Sequence, residues 1–284
     1  VIVLFYLFFL VGELFCQNFN NYRFYALTNE DGLSQNTISC ILKDNKGYIW
    51  AGTQKGLNRW NGIEFEVWYH DPEDSFSLAG DEIHCLSSSE SGDVWIGTDG
   101  GISIFDQEKL IFINKHLLLN NYPVTSIKDI LFENKNKIWI GTSEFGVFLC
   151  DSNLQILKRY TKSNQTLSSD NVYCLLLDNK NRIWVGTRGD LTRIEKDSII
   201  RIYRSDPTNP HSLQDWQVKC LYQDSDNTIY AGTWRGGISV YRDEYDDFIS
   251  FSNFLNPGDS LLDSQIESIT EDDQKNLWIG TWNG

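Results

Sequence analysis

The sequence predicts an all-β fold, a β-propeller of four-stranded antiparallel blades, from three observations. Nearly the same four residues, Trp-x-Gly-Thr, recur six times along the chain. The motif glycines are 45, 44, 45, 46 and 48 residues apart, and a period of roughly 40–50 residues is typical of propeller blades and of some helical repeats. Short β-prone runs separated by Asp, Asn and Gly turns fill each repeat, and this pattern favours the propeller.

The fourth repeat shows how one blade is built. Residues 172–177 form an apolar run typical of a strand buried on both faces, and a polar turn follows at 178–181. The motif strand spans 182–187, and two more β-prone runs follow at 191–194 and 199–203. Four strands in about 45 residues match one propeller blade.

The repeated motif itself has a structural interpretation. The aromatic residue is expected to fill the space between neighbouring sheets, and the glycine to let them approach closely. The residues assigned this role are Trp50, Gly52, Trp95, Gly97, Trp139, Gly141, Trp184, Gly186, Tyr230, Gly232, Trp278 and Gly280.

The turn before each motif strand also recurs. A polar acceptor stands eight residues before the motif glycine, and usually Gly or Asn stands five before it, which predicts a type I turn with a bulge and a positive φ. The acceptors are Asp44, Ser89, Glu133, Asp178, Asp224 and Asp272. The positive-φ positions are Gly47, Gly92, Asn136, Asn181, Asn227 and Lys275.

The cysteines follow the same register. Cys40, Cys85, Cys174 and Cys220 each lie twelve residues before a motif glycine. Equivalent positions of different blades are too far apart for a disulfide, which needs Cα atoms within about 7 Å. We therefore expect buried, reduced side chains without a redox role. The four histidines show no ligand spacing, so no metal and no cofactor is expected.

Composition narrows the choice of partners. Hydrophobic residues make up 41% and aromatic residues 14% of the 284 positions, which excludes a disordered chain. The net charge of −15 argues against a nucleic-acid partner, because such binding requires Lys and Arg to neutralise phosphates.

The chain divides into a short leader and one repeat domain. Residues 1–16 are predicted to be the remnant of a secretory signal peptide, because Glu13 is the only charge among the first fifteen; an uncleaved anchor and a lipid-modified Cys16 remain alternatives. An incomplete propeller is expected at 22–284, with an outer strand at 22–27 and no closing blade. Its repeats are at about 34–76, 77–122, 123–166, 167–211, 212–259 and 260–284.

These repeats closely resemble the two-component regulator propeller repeat. The first repeat carries that family's wording, Gly-Leu-Ser-x-Asn, Asp-x-x-Gly, Trp-x-Gly-Thr and Gly-Leu, at 32–36, 44–47, 50–53 and 56–57. The resemblance runs from about residue 22 to 284. Two departures are Tyr230 in place of Trp, and Tyr122-Pro123-Val124 in place of the Leu-Ser lead-in of the third repeat.

The resemblance implies a sensor. In that family such repeats form the periplasmic region of inner-membrane regulators, often hybrid histidine kinases. The repeats build seven-bladed rings, and many of these regulators respond to oligosaccharides. The chain would then be about six blades of a seven-bladed ring, and would sense an oligosaccharide or another periplasmic ligand. Its partners would be further blades, membrane and kinase domains of the same parent chain. Catalysis would belong to that parent, and a homodimer is an open alternative.

Ligand contact is expected where the repeats differ. The loop between the second and third strands lies on the same face as the connection to the next blade, and variable loops on a rigid scaffold often bind ligands. Three tryptophans there fall outside the structural motif and could stack on a sugar ring, beside Arg and Asp; local packing and an interface between propellers are the alternatives. The candidate ligand-binding residues are Asp99, Arg188, Asp215, Trp216, Trp234, Arg235 and Trp282.

Other function classes stay open. Residues 44–50 loosely resemble the Asp-box turn of sialidases, which suggests a secreted glycoside hydrolase. Such an enzyme needs a carboxyl acid together with a nucleophile or a second carboxylate, converging on the sugar, whereas the distinctive carboxylates here recur at blade turns. A quinone-dependent dehydrogenase would need a cofactor pocket that no motif supplies. A protein-binding scaffold would use the acidic outer surface.

Overall fold

Antiparallel sheets built from consecutive strands make up the fold. The computed structural model describes residues 25–206, 208–251, 261 and 263–283. Within them are five four-stranded sheets, one two-stranded sheet at β23 and β24, and a small hairpin of β9 and β10. A 3-10 turn at Asn29–Asp31 precedes β1. No helix in these residues is long and apolar enough to cross a membrane.

The strands follow the predicted repeats. They are β1 Ile38–Lys43, β2 Ile49–Thr53, β3 Leu57–Trp60, β4 Phe65–Trp68, β5 Ile83–Ser88, β6 Val94–Thr98, β7 Ile102–Asp106, β8 Ile111–Lys115, β9 Leu118–Leu119, β10 Tyr122–Pro123, β11 Ile127–Asn134, β12 Lys137–Thr142, β13 Val147–Cys150, β14 Ile156–Tyr160, β15 Val172–Leu177, β16 Arg182–Thr187, β17 Asp190–Glu195, β18 Ile199–Tyr203, β19 Val218–Gln223, β20 Ile229–Thr233, β21 Ile238–Arg242, β22 Asp247–Ser250, β23 Ile266–Glu271 and β24 Leu277–Thr281.

The sheets are arranged as the blades of a propeller. The first strand of each sheet packs beside the first strand of the next, in the order β1, β5, β11, β15, β19 and β23. These six inner strands pair with their own second strand on one edge and leave the other edge toward the axis. The row of sheets is open in the part of the chain described. The predicted fold class, an all-β propeller of four-stranded blades, is confirmed.

The outer strand predicted at 22–27 is not formed by residues 25–27, the part of it that the structure describes. Residues 25–28 form no strand, and Thr28 instead caps the 3-10 turn through a side-chain hydrogen bond with the Glu30 amide. Residues 22–24 and the predicted signal segment 1–16 lie outside the described residues.

The motif aromatic residues form the core between blades. Trp50, Trp139 and Trp184 are fully buried. In three blades this ring stacks on an aromatic residue at the end of the fourth strand, and the centroid distances are 5.6 Å for Trp50–Trp68, 5.3 Å for Trp139–Tyr160 and 5.6 Å for Trp184–Tyr203. The expected structural role of the motif aromatics is therefore seen in the packing.

The recurring turn acceptor has a specific partner. In five repeats its side chain accepts a hydrogen bond from the indole or hydroxyl of the motif aromatic six residues later. The pairs are Asp44–Trp50 at 2.8 Å, Glu133–Trp139 at 2.8 Å, Asp178–Trp184 at 2.8 Å, Asp224–Tyr230 at 3.0 Å and Asp272–Trp278 at 2.9 Å. In the second repeat Ser89 is shorter and bonds within its own turn, to Ser91.

The predicted turn geometry is confirmed in five of the six repeats. Gly47, Gly92, Asn181, Asn227 and Lys275 all have positive φ. In the third repeat Asn134 pairs directly with Lys137, which leaves a two-residue turn. Asn136 does not have a positive φ, so the prediction is wrong there.

In four repeats the motif glycine leaves the space that a cysteine side chain occupies. A Cβ built on Gly52, Gly97, Gly186 or Gly232 would overlap the Sγ of the cysteine twelve residues earlier. The five cysteines in the described residues are free thiols. Burial raises the pKa of Cys40 and of Cys220 to about 12, so these thiols are neutral. They are the small buried hydrophobes that the register predicts.

Candidate ligand-binding face

The two ends of the blades differ in what they carry. We call the end with the loops between second and third strands the loop face, and the end with the recurring acceptor turns the turn face. The loop-face loops are 54–56, 99–101, 143–146, 188–189, 234–237 and 282–283. The connections into the next blade lie on the same face, because the strands of each sheet are antiparallel.

The motif threonine fixes these loops. Its hydroxyl donates to a main-chain carbonyl of the loop that follows, at 2.8–3.0 Å in five repeats. The pairs are Thr53–Gly56, Thr98–Gly101, Thr142–Gly146, Thr187–Asp190 and Thr233–Gly237. The motif therefore serves two ends: its aromatic ring anchors the core and the turn, and its threonine shapes the loop face.

Main-chain bonds also tie these loops to connections that enter either their own blade or the next one. The Asp190 amide donates to the Trp216 carbonyl at 2.6 Å, and the Trp234 amide donates to the Gln217 carbonyl at 3.0 Å. The Trp282 amide donates to Gln265 at 3.1 Å. Side chains on this face are thus presented by a bonded frame, which lowers the entropy lost when a ligand binds.

The structure gives two predicted carboxylates a local role. Asp215 is buried, and its carboxylate accepts from the Arg235 amide and from its own neighbour Trp216, both at 2.7 Å. Asp99 is exposed and accepts from the Glu82 amide at 3.2 Å. Asp215 therefore holds the loop that carries Arg235, and a contact of either carboxylate with a ligand stays a prediction.

The predicted aromatic and basic residues lie on the open surface. Trp282 is 64% exposed and Trp216 is 46% exposed. Trp234 is half-buried and meets Trp282 edge to face, with ring centroids 6.0 Å apart. Arg188 and Arg235 are exposed. Local packing is therefore part of the role of Trp234 and Trp282, but the rings still offer apolar surface to solvent.

Four further polar residues stand on the inner strands, and one of them, Lys219, lies beside Trp234. The Lys219 ammonium lies 5.0 Å from the Trp234 ring centroid and 4.4 Å from that of Tyr173. On the neighbouring inner strands, the Lys128 ammonium lies 3.2 Å from Nε2 of His84. None of the four was predicted from the sequence, because ligand contact was expected in the loops. Their signal was a shared register, thirteen residues before the motif glycine.

Clefts also occur on the turn face. One of about 440 Å³ is lined by Asn45, Lys46 and Gln107, and another of about 340 Å³ by Glu133, Arg182 and neighbouring residues. In the second cleft the charges are already paired: the Lys137 ammonium lies 2.6 Å from the Asp197 carboxylate. These grooves arise where turns of adjacent blades meet, and they are the competing location for a ligand.

The recurrent turn carboxylates have structural partners. In five repeats they accept hydrogen bonds from motif aromatics, and they stand on separate blades. No group of three or more His, Cys, Asp or Glu side chains in the described part of the chain is placed to hold a metal ion.

Comparison with known proteins agrees with the repeat analysis. The model of the family described as two component regulator propeller matches residues 32–55, 166–189 and 260–283. A histidine kinase, P4 of Formosa agariphila, is 41% identical over 71 residues, which is 25% of this chain and 5% of the kinase. The chain thus spans a small part of that curated relative.

Solved structures share the fold. The extracellular domain of the hybrid two component system BT3049 from B. thetaiotaomicron superposes with a TM-score of 0.63 at 20% identity, covering 91% of this chain and 40% of that domain. Virginiamycin B lyase from Staphylococcus aureus superposes with a TM-score of 0.62 at 16% identity, covering 87% of this chain and 78% of the lyase. The same fold therefore occurs in the extracellular domain of a two component system and in a lyase. The three matched segments of this chain are similar to the two component regulator propeller repeat.

Proposed function

We propose that this chain is the ligand-sensing propeller of a membrane-bound two-component regulator, located in the periplasm and specific for oligosaccharides. The observation that carries the proposal is the loop face, where Trp216, Trp234 and Trp282 expose ring surface beside Arg188 and Arg235. Flat aromatic surface with adjacent hydrogen-bond donors suits sugar rings, whose faces are apolar and whose edges carry hydroxyls. The family match and the kinase relative support a sensor whose output lies in other domains of a parent chain.

The hydrolase alternative has less support. Retaining and inverting glycosidases place two carboxyl groups about 5–10 Å apart around the bond that is cut. Here the turn acids bind motif aromatics, and Asp215 holds main-chain amides. A protein-binding scaffold remains the second alternative, and it would use the acidic outer surface rather than the loop face.

The test is binding without turnover. The purified protein is titrated with a panel of neutral and acidic oligosaccharides while tryptophan fluorescence and heat are recorded, and each mixture is then analysed for cleaved products. We expect at least one sugar to bind and to be recovered intact. Cleavage would favour the hydrolase, and the absence of binding across the panel would contradict the sensor proposal.

A double substitution locates the binding. Trp234→Ala combined with Trp282→Ala should weaken sugar binding at least tenfold, because two of the three loop-face tryptophan rings are removed. Trp60→Ala is the matched control, since Trp60 is also partly exposed but stands at the turn face. Equal losses in both variants would contradict a site on the loop face.

A further inference from the structure

The inner strands bring one position of every repeat together at the axis. This position lies thirteen residues before the motif glycine, at the bulge between the first two strands of each blade. We call these residues the axial ring. They are Ser39, His84, Lys128, Tyr173, Lys219 and Glu267.

Successive members of the axial ring contact their neighbours across blades. The Ser39 hydroxyl donates to the Ile83 carbonyl of the next inner strand at 2.5 Å. The Lys128 ammonium lies 3.2 Å from the His84 ring, and that of Lys219 lies 4.4 Å from the centroid of Tyr173. Two neighbouring pairs of the ring, His84 with Lys128 and Tyr173 with Lys219, are therefore in contact, and Lys219 also lies beside Trp234 of the loop face.

The two lysines of the ring take no part in the ion pairs of the described residues. In that part of the chain, no carboxylate lies within 4.0 Å of the Lys128 or the Lys219 ammonium, whereas Lys109, Lys137, Lys180 and Lys275 each lie that close to one. The Lys128 ammonium contacts the His84 imidazole, and the Lys219 ammonium lies over the rings of Tyr173 and Trp234.

The two ring lysines act on each other, and the carboxylates of Glu82, Asp99 and Glu267 also act on this region. Burial lowers the pKa of Lys128, and the charge of Lys219 adds to that decrease, while Glu82 and Asp99 at the rim oppose it. Burial and the Lys128 charge also lower the pKa of His84, so its ring is neutral at pH 7. Two like charges held near each other in a partly buried site would gain from an anion placed between them.

We propose that the axial opening binds the anionic group of an acidic sugar, a carboxylate or a sulfate ester, between Lys128 and Lys219. This inference rests on the proposed sensing function and narrows its ligand class. Ammonium groups donate charge-assisted hydrogen bonds to such oxygens, and partial burial strengthens the attraction. The Trp234 and Trp282 rings lie beside this opening and supply apolar surface for the sugar ring that carries the charge.

The test uses probes that differ only in charge. An oligogalacturonide tetramer supplies carboxylates, a sulfated galactan tetramer supplies sulfates, and their carboxyl-reduced and desulfated forms are the neutral controls. We expect one anionic probe to bind at least tenfold more tightly than its neutral form, and added NaCl to weaken that binding. Carboxylate and sulfate as the source of charge are separated by which probe binds.

Substitutions locate the charge. Lys128→Gln and Lys219→Gln should each weaken binding of the anionic probe about tenfold while leaving the neutral form unaffected, and Lys219→Arg should retain most of the affinity. Lys46→Gln is the matched control, because this exposed lysine lines the cleft of about 440 Å³ on the turn face. Thermal unfolding of each variant, measured in parallel, confirms that it is folded.

The outcomes separate the two proposals. If neutral oligosaccharides bind and anionic probes gain nothing, or if the Gln variants bind anions as the wild type does, the axial site is contradicted and the sensor proposal stands. If Lys46→Gln causes the same loss, the site belongs to the turn face and the axial proposal is wrong. If no sugar of either kind binds, both proposals fall.

Discussion

At the scale of single residues, the most consequential contacts join a turn acid to the motif aromatic. Asp178 illustrates the pattern, since its buried carboxylate accepts from the Trp184 indole at 2.8 Å and lies 2.5 Å from Nε of Arg182. One side chain thus holds the turn, the core ring and a buried cation. This explains why an acid and an aromatic recur together without any need for catalysis.

We expect Asp178→Asn to lower the free energy of unfolding by about 3 kcal/mol, because the buried ion pair with Arg182 is lost and the single amide oxygen cannot accept both from the Trp184 indole and from the turn amides. Asp226→Asn is the control: Asp226 is exposed and pairs with exposed Lys275, so its loss should cost less than about 1 kcal/mol. Urea unfolding of both variants makes the measurement. Similar costs for the two would show that the turn acid is not a structural anchor.

Asp129 breaks the cysteine register and supplies a pH-dependent contact. It stands where four other repeats have cysteine, and its carboxylate accepts from the Leu175 amide of the next inner strand at 2.7 Å. Burial raises the pKa of Asp129 to about 6, although that bond and another from Ile130 oppose the increase.

The raised pKa of Asp129 predicts a loss of stability as pH rises. Between about pH 4 and pH 6 the folded state holds a proton that the unfolded chain has released, so this group destabilises the fold progressively up to pH 6 and fully above it. In Asp129→Asn that loss is absent. We expect the unfolding free energy of the variant, relative to wild type, to increase by about 3 kcal/mol from pH 4 to pH 7. A difference that does not change with pH would contradict the assignment.

At the scale of elements, the motif strand is shaped by its contact with the next blade. A Cβ on Gly186 would overlap Cys174 Sγ and lie 2.9 Å from the Val218 carbonyl of the neighbouring inner strand. A Cβ on Gly280 would overlap only the movable Ser268 hydroxyl, with no other atom closer than 3.8 Å. Gly186 therefore faces the inner strand of a following blade, β19, whereas no strand in the described residues follows β24 beside Gly280.

We expect Gly186→Ala to lower the free energy of unfolding by about 1–3 kcal/mol, since a backbone carbonyl and a buried thiol must move. Gly280→Ala should cost clearly less, because a hydroxyl can rotate away. Thermal and urea unfolding compare the two variants. A larger cost at Gly280 than at Gly186 would show that close approach of blades is not what the glycine serves.

At the scale of the whole molecule, the sequence predicts the scaffold better than the site. Strand order, the buried Trp184 and the role of Cys174 follow from the period, because every blade must solve the same packing problem. The positive φ predicted at Asn136 is absent, and Asn134 pairs with Lys137 in that turn. Local composition does not reveal this pairing.

The site was harder to predict because it is assembled across blades. Lys128 and Lys219 are 91 positions apart in the chain. Only the packing of successive inner strands brings them to one opening. Arg188, Trp216 and Trp234 could be assigned to the loop face from blade topology alone. The contact between Trp234 and Lys219 could be seen only in the folded structure.

The most direct measurement is hydrogen–deuterium exchange of the whole protein with and without the oligosaccharide that binds most tightly in the panel. We expect slower exchange of the loop-face amides at 99–101, 188–189 and 234–237, and of the inner-strand segments that carry the axial ring. Slower exchange confined to the turns at 44–48 and 89–93 would place the ligand in the turn-face clefts and contradict a sensing site on the loop face.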